Sequence, residues 1–314
     1  MKVLFKNYSV PATIFALAIM LVALVMSIFG YGINYGIDFA GGLNISYNMN
    51  STFQQSDVED ALRAQGLTDF KVSTTGTEKT TLDIRIPKLS SEEEIQKLQS
   101  ALETTLLAKY PDMDTTNATA TYVGPVAGAT LVRNAIISVC LASVLMLGYI
   151  ALRFDLFSGI AAIVTLLHDV LIMISFMVIL RNIVQMNSSF IAAMLTIVGY
   201  SINNTIVVFD RIRENNRNHE YAKMKREEVV NLSVTQCLGR TVNTTLTTLF
   251  TVVCLYIMGV ASIREFTLPI IIGILAGLYS SVLMSGYYWA YLEERYLNRK
   301  KKAKPGAKVQ KAEA

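Results

Sequence analysis

Runs of apolar positions, nearly free of charge, recur six times along the chain, at roughly 10–30, 133–152, 156–180, 188–209, 241–262 and 267–291. About 20 consecutive apolar residues are what a helix needs to cross the hydrocarbon core of a bilayer. Each run therefore predicts a spanning helix. The segment between the first two runs, 43–124, has a different pattern. Positions 43–48 alternate around Ile45 and Tyr47 as a strand does. Positions 56–65 predict a helix with Ser56 and Glu59 spaced as a capping box. Short strands are predicted at 70–74 and 80–86, around a turn at Gly76, with Pro87 ending the second. Ser90 and Glu93 are spaced as another capping box, ahead of a helix whose Ile95, Leu98, Leu102 and Leu106 share one face. A last strand is predicted at 118–123. The order β-α-β-β-α-β is the split βαβ pattern of ferredoxin-like domains. The expected architecture is an α-helical polytopic membrane protein with six transmembrane helices and a small α+β ferredoxin-like domain.

Composition agrees. Hydrophobic residues make up 52% of the chain and charged residues 17%, whereas soluble domains carry about 25% charged residues. The first run is too long for a signal-peptide core and no small-residue cleavage site follows it. Charge then sets orientation. With Lys2 and Lys6 inside, alternation also puts inside Arg153, the 210–240 segment with Arg211, Arg213, Arg217, Lys223, Lys225 and Arg226, and the basic tail 292–314. The short outer loops carry Arg181 and Arg264, and the 43–124 segment is acidic on balance. Both termini, 1–9 and 292–314, are therefore expected in the cytoplasm. The net charge of +4 reads as topology plus attraction of the tail to anionic membrane lipids; nucleic acid is not an expected partner. Cys140 and Cys254 fall in membrane runs and Cys237 in the inner loop, so the outer domain has no disulfide framework. It also lacks His and a glycine-rich phosphate loop, and neither a cofactor nor a metal is expected. Binding an extended segment at a sheet edge would suit such a domain; the alternative is a spacer.

Polar residues inside membrane runs are the candidate chemistry, because an ionisable group at that depth is costly. His168 and Asp169 sit together in the third run. In the fourth, Ser201, Asn204, Thr205 and Val208 share a helical face. In the fifth, Thr241, Thr244, Thr245 and Thr248 form a second polar stripe entered by Arg240. Two such stripes plus an arginine suggest a lined pathway, although threonines also satisfy themselves against their own helix. Gly273, Gly277, Ser281 and Ser285, spaced four apart in the sixth run, predict close helix packing.

These residues carry a resemblance. Gly36-Ile37-Asp38-Phe39-Ala40-Gly41-Gly42 is similar to the motif with which the SecF family of protein-export membrane subunits leaves its first helix. Leu167-His168-Asp169-Val170 resembles that family's third-helix motif. The stretches 191–203 and 207–215 resemble its most diagnostic region, and Arg240-Thr241 and Gly277-Leu278-Tyr279-Ser280-Ser281 agree with the fifth and sixth helices. The resemblance spans nearly everything between the first and last helix. It implies a relation to the resistance-nodulation-division superfamily and one half of a twelve-helix pseudo-symmetric bundle. SecD is implied as the partner, expected here as a separate chain because this one starts at its own Met1 and has six spans. It further implies the SecYEG channel, a secreted preprotein and YajC as partners, a bacterial cell membrane location, and promotion of late export steps coupled to a proton or sodium gradient.

One position departs from the family. Where its members usually carry the relay aspartate, opposite the arginine matching Arg240, this chain has Asn204. An amide hydrogen-bonds on both sides but cannot take up and release a proton near neutral pH as a carboxylate can. The partner then supplies the titrating carboxylate, or Asp169 takes the role, or the subunit is a non-coupled scaffold. A small-molecule exporter of the same superfamily would need a larger outer domain. An intramembrane protease would need a second deep aspartate or a nucleophilic serine motif, so enzyme chemistry is not expected.

Overall fold

A computed structural model describes residues 5–75, 80–87, 92–221 and 224–302. Lys2, Gly76, Ser90, Lys223 and the tail beyond 302, on which parts of the sequence reading fell, lie outside these residues.

Helix α1 (Lys6–Ile28) leads through a short helix α2 (Ile37–Ala40) into the outer domain. There β1 (Gly42–Asn48), α3 (Gln55–Ala64), β2 (Lys71–Thr75), β3 (Thr81–Pro87), α4 (Glu92–Lys109) and β4 (Asp114–Val123) follow the split βαβ order. The sheet is antiparallel, in the order β2-β3-β1-β4. Strand side chains alternate between faces, so Leu43, Ile45 and Tyr47 of β1 and Leu82, Ile84 and Ile86 of β3 turn to the helices. They close on Val58 and Leu62 of α3 and Leu98, Leu102 and Leu106 of α4. All six strand residues are sealed from solvent, enough for one modest core.

The membrane part follows as α5 (Pro125–Arg153), α6 (Leu156–Ile179), α7 (Ser188–Arg217), α8 (Arg226–Met258), α9 (Ala261–Ser280), a π-helical turn (Ser281–Ser285) and α10 (Gly286–Lys302). Asp155 caps α6 by accepting from the backbone N–H of Phe157 and Ser158, and Asn187 caps α7 through Phe190. Six stretches are long and apolar enough to span a membrane. About half of the α6, α7 and α9 spans is buried within the chain (56%, 50% and 56%), against 11% for α1, 0% for α5 and 17% for α8. The first three form the centre, and the others face lipid or another chain.

Several boundaries differ from the sequence reading. Helix α5, which carries the second expected span, begins at Pro125, ahead of position 133, because proline suits the first helical turn and the start of α5 packs on α2. The 210–240 segment, read as a loop, is helical except around its middle. Val208, Phe209, Ile212, Val230 and Val234 are buried in one cluster there, so α7 and α8 continue as a packed pair and Cys237 lies on α8. The Ser56–Glu59 capping box is not formed: α3 starts at Gln55, and no side chain caps it. Asp57 instead ties α3 to α4, pairing with Lys109 at 2.6 Å and accepting from the Tyr110 hydroxyl at 2.5 Å. Those bonds, Lys109 first, hold its carboxyl below the usual range. Strand β4 starts at Asp114, earlier than the predicted 118, because that side chain accepts from Asn117 and Thr116 and organises the turn into the strand.

Candidate functional site

The centre of the bundle is set by one packing row. On α9 and the turn after it, Gly273, Gly277 and Ser281 lie four apart, as do Ile197, Ser201 and Thr205 on α7. A Cβ on Gly273 would stand 2.5 Å from Ile197 Cγ1, and one on Gly277 would stand 3.2 Å from Ser201 Cβ. One row further on, the Ser281 and Thr205 hydroxyls share a hydrogen bond of 3.0 Å. Small residues let the two backbones close to this distance. The close approach brings the polar groups together.

Asp169 on α6 is fully buried at that crossing. Its Oδ1 is 2.8 Å from His168 Nδ1. Its Oδ2 accepts from Ser280 Oγ at 3.0 Å and from Ser201 Oγ. Behind it, His168 Nε2 lies 2.7 Å from the Tyr279 hydroxyl, with the rings edge to face. With Nδ1–H donating to Asp169, a neutral imidazole accepts from Tyr279 and a charged one donates to it. Tyr279, His168, Asp169 and the two serines thus form one unbroken line of exchangeable protons between α6, α7 and α9, buried at Asp169 and half-buried at Tyr279.

Asn204, about one turn away on α7, is also buried, and its Nδ2 points to Thr245 Oγ1 at 3.5 Å. The fifth-helix stripe does not stay together. Thr241 and Thr245 are buried towards α7, whereas Arg240 and Thr244 are exposed and Thr248 is half-buried. At 100° per residue, positions 241 and 245 and positions 240, 244, 247 and 251 occupy different faces. The Thr247 and Thr248 hydroxyls bond back to the Thr244 carbonyl, and Thr251 to that of Thr247. Where α7 meets α8, Asn204, Thr241 and Thr245 are the buried members of the two expected stripes. Arg240 makes no ion pair among the described residues and does not meet Asn204.

The motif at the first-helix exit forms a corner. Asp38 Oδ2 accepts from the Ser188 N–H at 2.9 Å and from its hydroxyl, adding a second cap to α7. Gly36 N–H donates to the Met186 carbonyl at 2.8 Å. Gly42 has φ +133°, and a Cβ there would stand 2.4 Å from the Ile86 carbonyl oxygen, which only glycine avoids. Beside Gly41 and Phe39, the start of α5 approaches so closely that a Cβ on Gly128 would lie 3.0 Å from the Phe39 carbonyl oxygen. The corner fixes where the sheet meets the bundle.

A polar latch not foreseen from the sequence completes that joint. Arg85 of β3 pairs with Glu265 near the start of α9 at 2.9 Å and donates to Gln185. Glu265 also accepts from Asn187 Nδ2 at 2.6 Å. Lys71 of β2 lies in the same joint, its ammonium pKa lowered by burial and then by Arg85 nearby. Glu265 beside an apolar run was a visible anomaly, but nothing local links it to an arginine 180 positions away. Tyr279 and Ser280 were also missed as partners of the His-Asp pair, since hydroxyls inside a span carry little pattern.

Residues 103–295 match the family described as protein export membrane protein SecD/SecF, C-terminal, and residues 27–48 match the SecD/SecF GG motif. The protein translocase subunit SecF of Rickettsia akari is 32% identical over 94% of this chain and 94% of its own length. That of Thermodesulfovibrio yellowstonii is 37% identical over 80% of this chain and 81% of its own. Among solved structures, SecDF of Thermus thermophilus, described as a translocon-associated membrane protein, superposes with a TM-score of 0.76 at 33% identity. The match covers 92% of this chain and 39% of that one, so this chain spans about two fifths of the SecDF polypeptide.

Proposed function

The chain belongs to the SecD/SecF family of protein-export membrane proteins, and on that premise we propose that it acts as the SecF-type subunit of a protein translocase, paired in the membrane with SecD. The outward face of α8 carries this reading. Arg240 lies 18 residues, roughly 27 Å of helix rise, before Met258 at the end of α8. That rise puts it near the inner edge of a hydrocarbon core about 30 Å thick, where its guanidinium can reach the interface or a carboxylate on a partner helix. The chain offers Arg240 no carboxylate among its described residues, while Thr244, Thr247 and Thr251 extend the same outward face. A partner helix with an acidic residue opposite Arg240 satisfies the stripe, and the six spans then form half of a larger bundle.

Ion coupling follows from that pairing. The titrating carboxylate belongs to the partner, and Arg240 holds it ionised. Protonation from the outer side releases the pair and lets α8 shift against the partner. Asn204 stays neutral and keeps α8 on α7 through Thr245. The α8–α9 connection passes the shift to Glu265, and through Arg85 to the outer domain, which moves against a preprotein emerging from the SecYEG channel. Both termini lie in the cytoplasm of a bacterial cell on this reading, as the basic inner segments require. A second reading makes Asp169 the titrating group, and the line from Tyr279 through His168 favours it. Against it stands burial: Asp169 has no exposed surface, and His168, Ser201 and Ser280 already occupy its oxygens.

Export of a secreted preprotein in cells depleted of this subunit separates the readings. Cells are rescued with the native chain, Asn204→Asp or Asp169→Asn under graded uncoupler. Rescue that uncoupler abolishes in native and Asp169→Asn cells alike supports a carboxylate on the partner. Failure of Asp169→Asn while it stays folded and paired moves the titrating group to Asp169. Rescue that persists without an ion gradient reduces the subunit to a scaffold.

A further inference from the structure

A cavity of about 440 Å³ opens at the inner end of the bundle, where the α5–α6 turn meets the end of α7 and α10. Arg153, Arg213 and Arg217 line it, with Asp155 and Trp289. A smaller cavity of about 350 Å³ shares the same three arginines. The neighbouring acids already have partners, Asp210 with Arg153 at the rim itself. Asp155 accepts from two backbone N–H groups, the Ser158 hydroxyl and Trp289 Nε1 at 3.2 Å. Asp210 pairs with Arg153 at 3.4 Å, and Glu214 with Arg211 at 2.6 Å. Arg213 donates to the Arg153 carbonyl oxygen at 3.0 Å. Neither it nor Arg217 has a carboxylate within ion-pair distance among the described residues. One helical turn apart on α7, the two guanidiniums share a face and turn to the same space.

We propose that this cavity binds the phosphate of an anionic phospholipid headgroup, with Arg213 and Arg217 as its principal ligands and Arg153 at its rim. A guanidinium fork matches phosphate oxygens in shape as well as charge. The apolar rim selects a lipid over a free phosphate. Leu152, 91% exposed, lines the cavity, and Leu156, 70% exposed, lies just across the turn. A headgroup seated between the arginines lays its acyl chains along these leucines, where basic pockets on the inner side of membrane proteins hold anionic lipids.

Trp289 lines the cavity and is the chain's single tryptophan, so its fluorescence reports occupancy. The full chain is reconstituted in phosphatidylcholine vesicles containing increasing fractions of phosphatidylglycerol with brominated acyl chains. The expected result is quenching that saturates at low phosphatidylglycerol fraction and exceeds that from brominated phosphatidylcholine. Arg213→Gln with Arg217→Gln shifts the midpoint about tenfold upwards, Arg217→Gln alone shifts it part of the way, and the charge-matched pair Arg295→Gln with Arg299→Gln leaves it in place. Arg217 is exposed at the end of its helix, so its single variant tests the site without endangering the fold. Millimolar inorganic phosphate leaves the quenching intact if the lipid is the ligand. Relief of quenching by phosphate overturns the lipid assignment in favour of the free anion. Equal quenching by both lipids, or an unchanged midpoint in the double variant, overturns the site.

Discussion

Asp169 is acceptor to three donors at once, and its substitutions separate charge from hydrogen bonding. Asp169→Ala leaves His168, Ser201 and Ser280 without their acceptor, and breaking a buried pair of this kind costs about 3 kcal/mol. A clear fall in the thermal midpoint of the detergent-solubilised chain is expected. Asp169→Asn keeps most of that stability, because the imidazole can change tautomer, accept from the new amide at Nδ1 and donate to Tyr279 from Nε2. If both substitutions destabilise equally, the ionised carboxylate itself is required. In the outer domain, Asp114 is held at a pKa of about 2, chiefly by the Asn117 and Thr116 side chains. A depressed carboxylate contributes stability that is complete above its unfolded value, about 3.8, and is lost as pH falls through the folded one. Hydrogen exchange at the start of β4 should therefore accelerate, beyond the intrinsic rate, as pH falls from about 4 to 2, and Asp114→Asn should remove that dependence. The His-Asp pair was legible in the sequence because two ionisable groups interrupt an apolar run. Ser201 stood out on the polar stripe of the fourth run, but Tyr279 and Ser280 did not, since serine and tyrosine occur throughout the spans and carry little pattern.

At the scale of elements, the α7–α9 crossing controls the site. Adding a methyl at Gly273 forces Ile197 to move, and overpacking of this kind costs about 1–3 kcal/mol. Gly273→Ala is expected to destabilise, and Ile197→Ala to restore most of the loss in the double variant; additive losses would mean that the two side chains do not compete for one space. The small-residue stripe was readable from its spacing, but the row it faces on α7 was not, because periodicity names a face without naming its partner. The strands were readable for a related reason: alternation states which side is buried, and 43, 45 and 47 point inward as patterned. What failed were helix ends. The 210–240 segment looked like a loop because its outward face is highly charged, while the valines and isoleucine that pair α7 with α8 there are too sparse to register as a run. The fifth-helix stripe also failed as one surface, since adjacent threonines are only 100° apart and diverge onto two faces.

Across the whole molecule, two features make the chain read as a component rather than a complete machine. Its outer domain is latched to the bundle through Arg85 and Glu265, and the threonine face of α8, at 244, 247 and 251, is exposed among the described residues. Loss of the latch should show at a distance: Arg85→Ala is expected to increase proteolytic cleavage around 182–187 without unfolding either part, and unchanged cleavage would mean that the glycine corner alone holds the joint. The central claim concerns α8. Photo-crosslinking from p-benzoylphenylalanine placed at Thr244 in living cells tests it most directly, with Leu145 on α5 as an exposed apolar reference. The account predicts a discrete adduct between position 244 and SecD, weakened when Arg240 is changed to Gln and absent from position 145. If position 244 captures no protein, or captures SecD no better than position 145 does, the polar face of α8 is not the partner interface and the coupling scheme built on Arg240 is wrong.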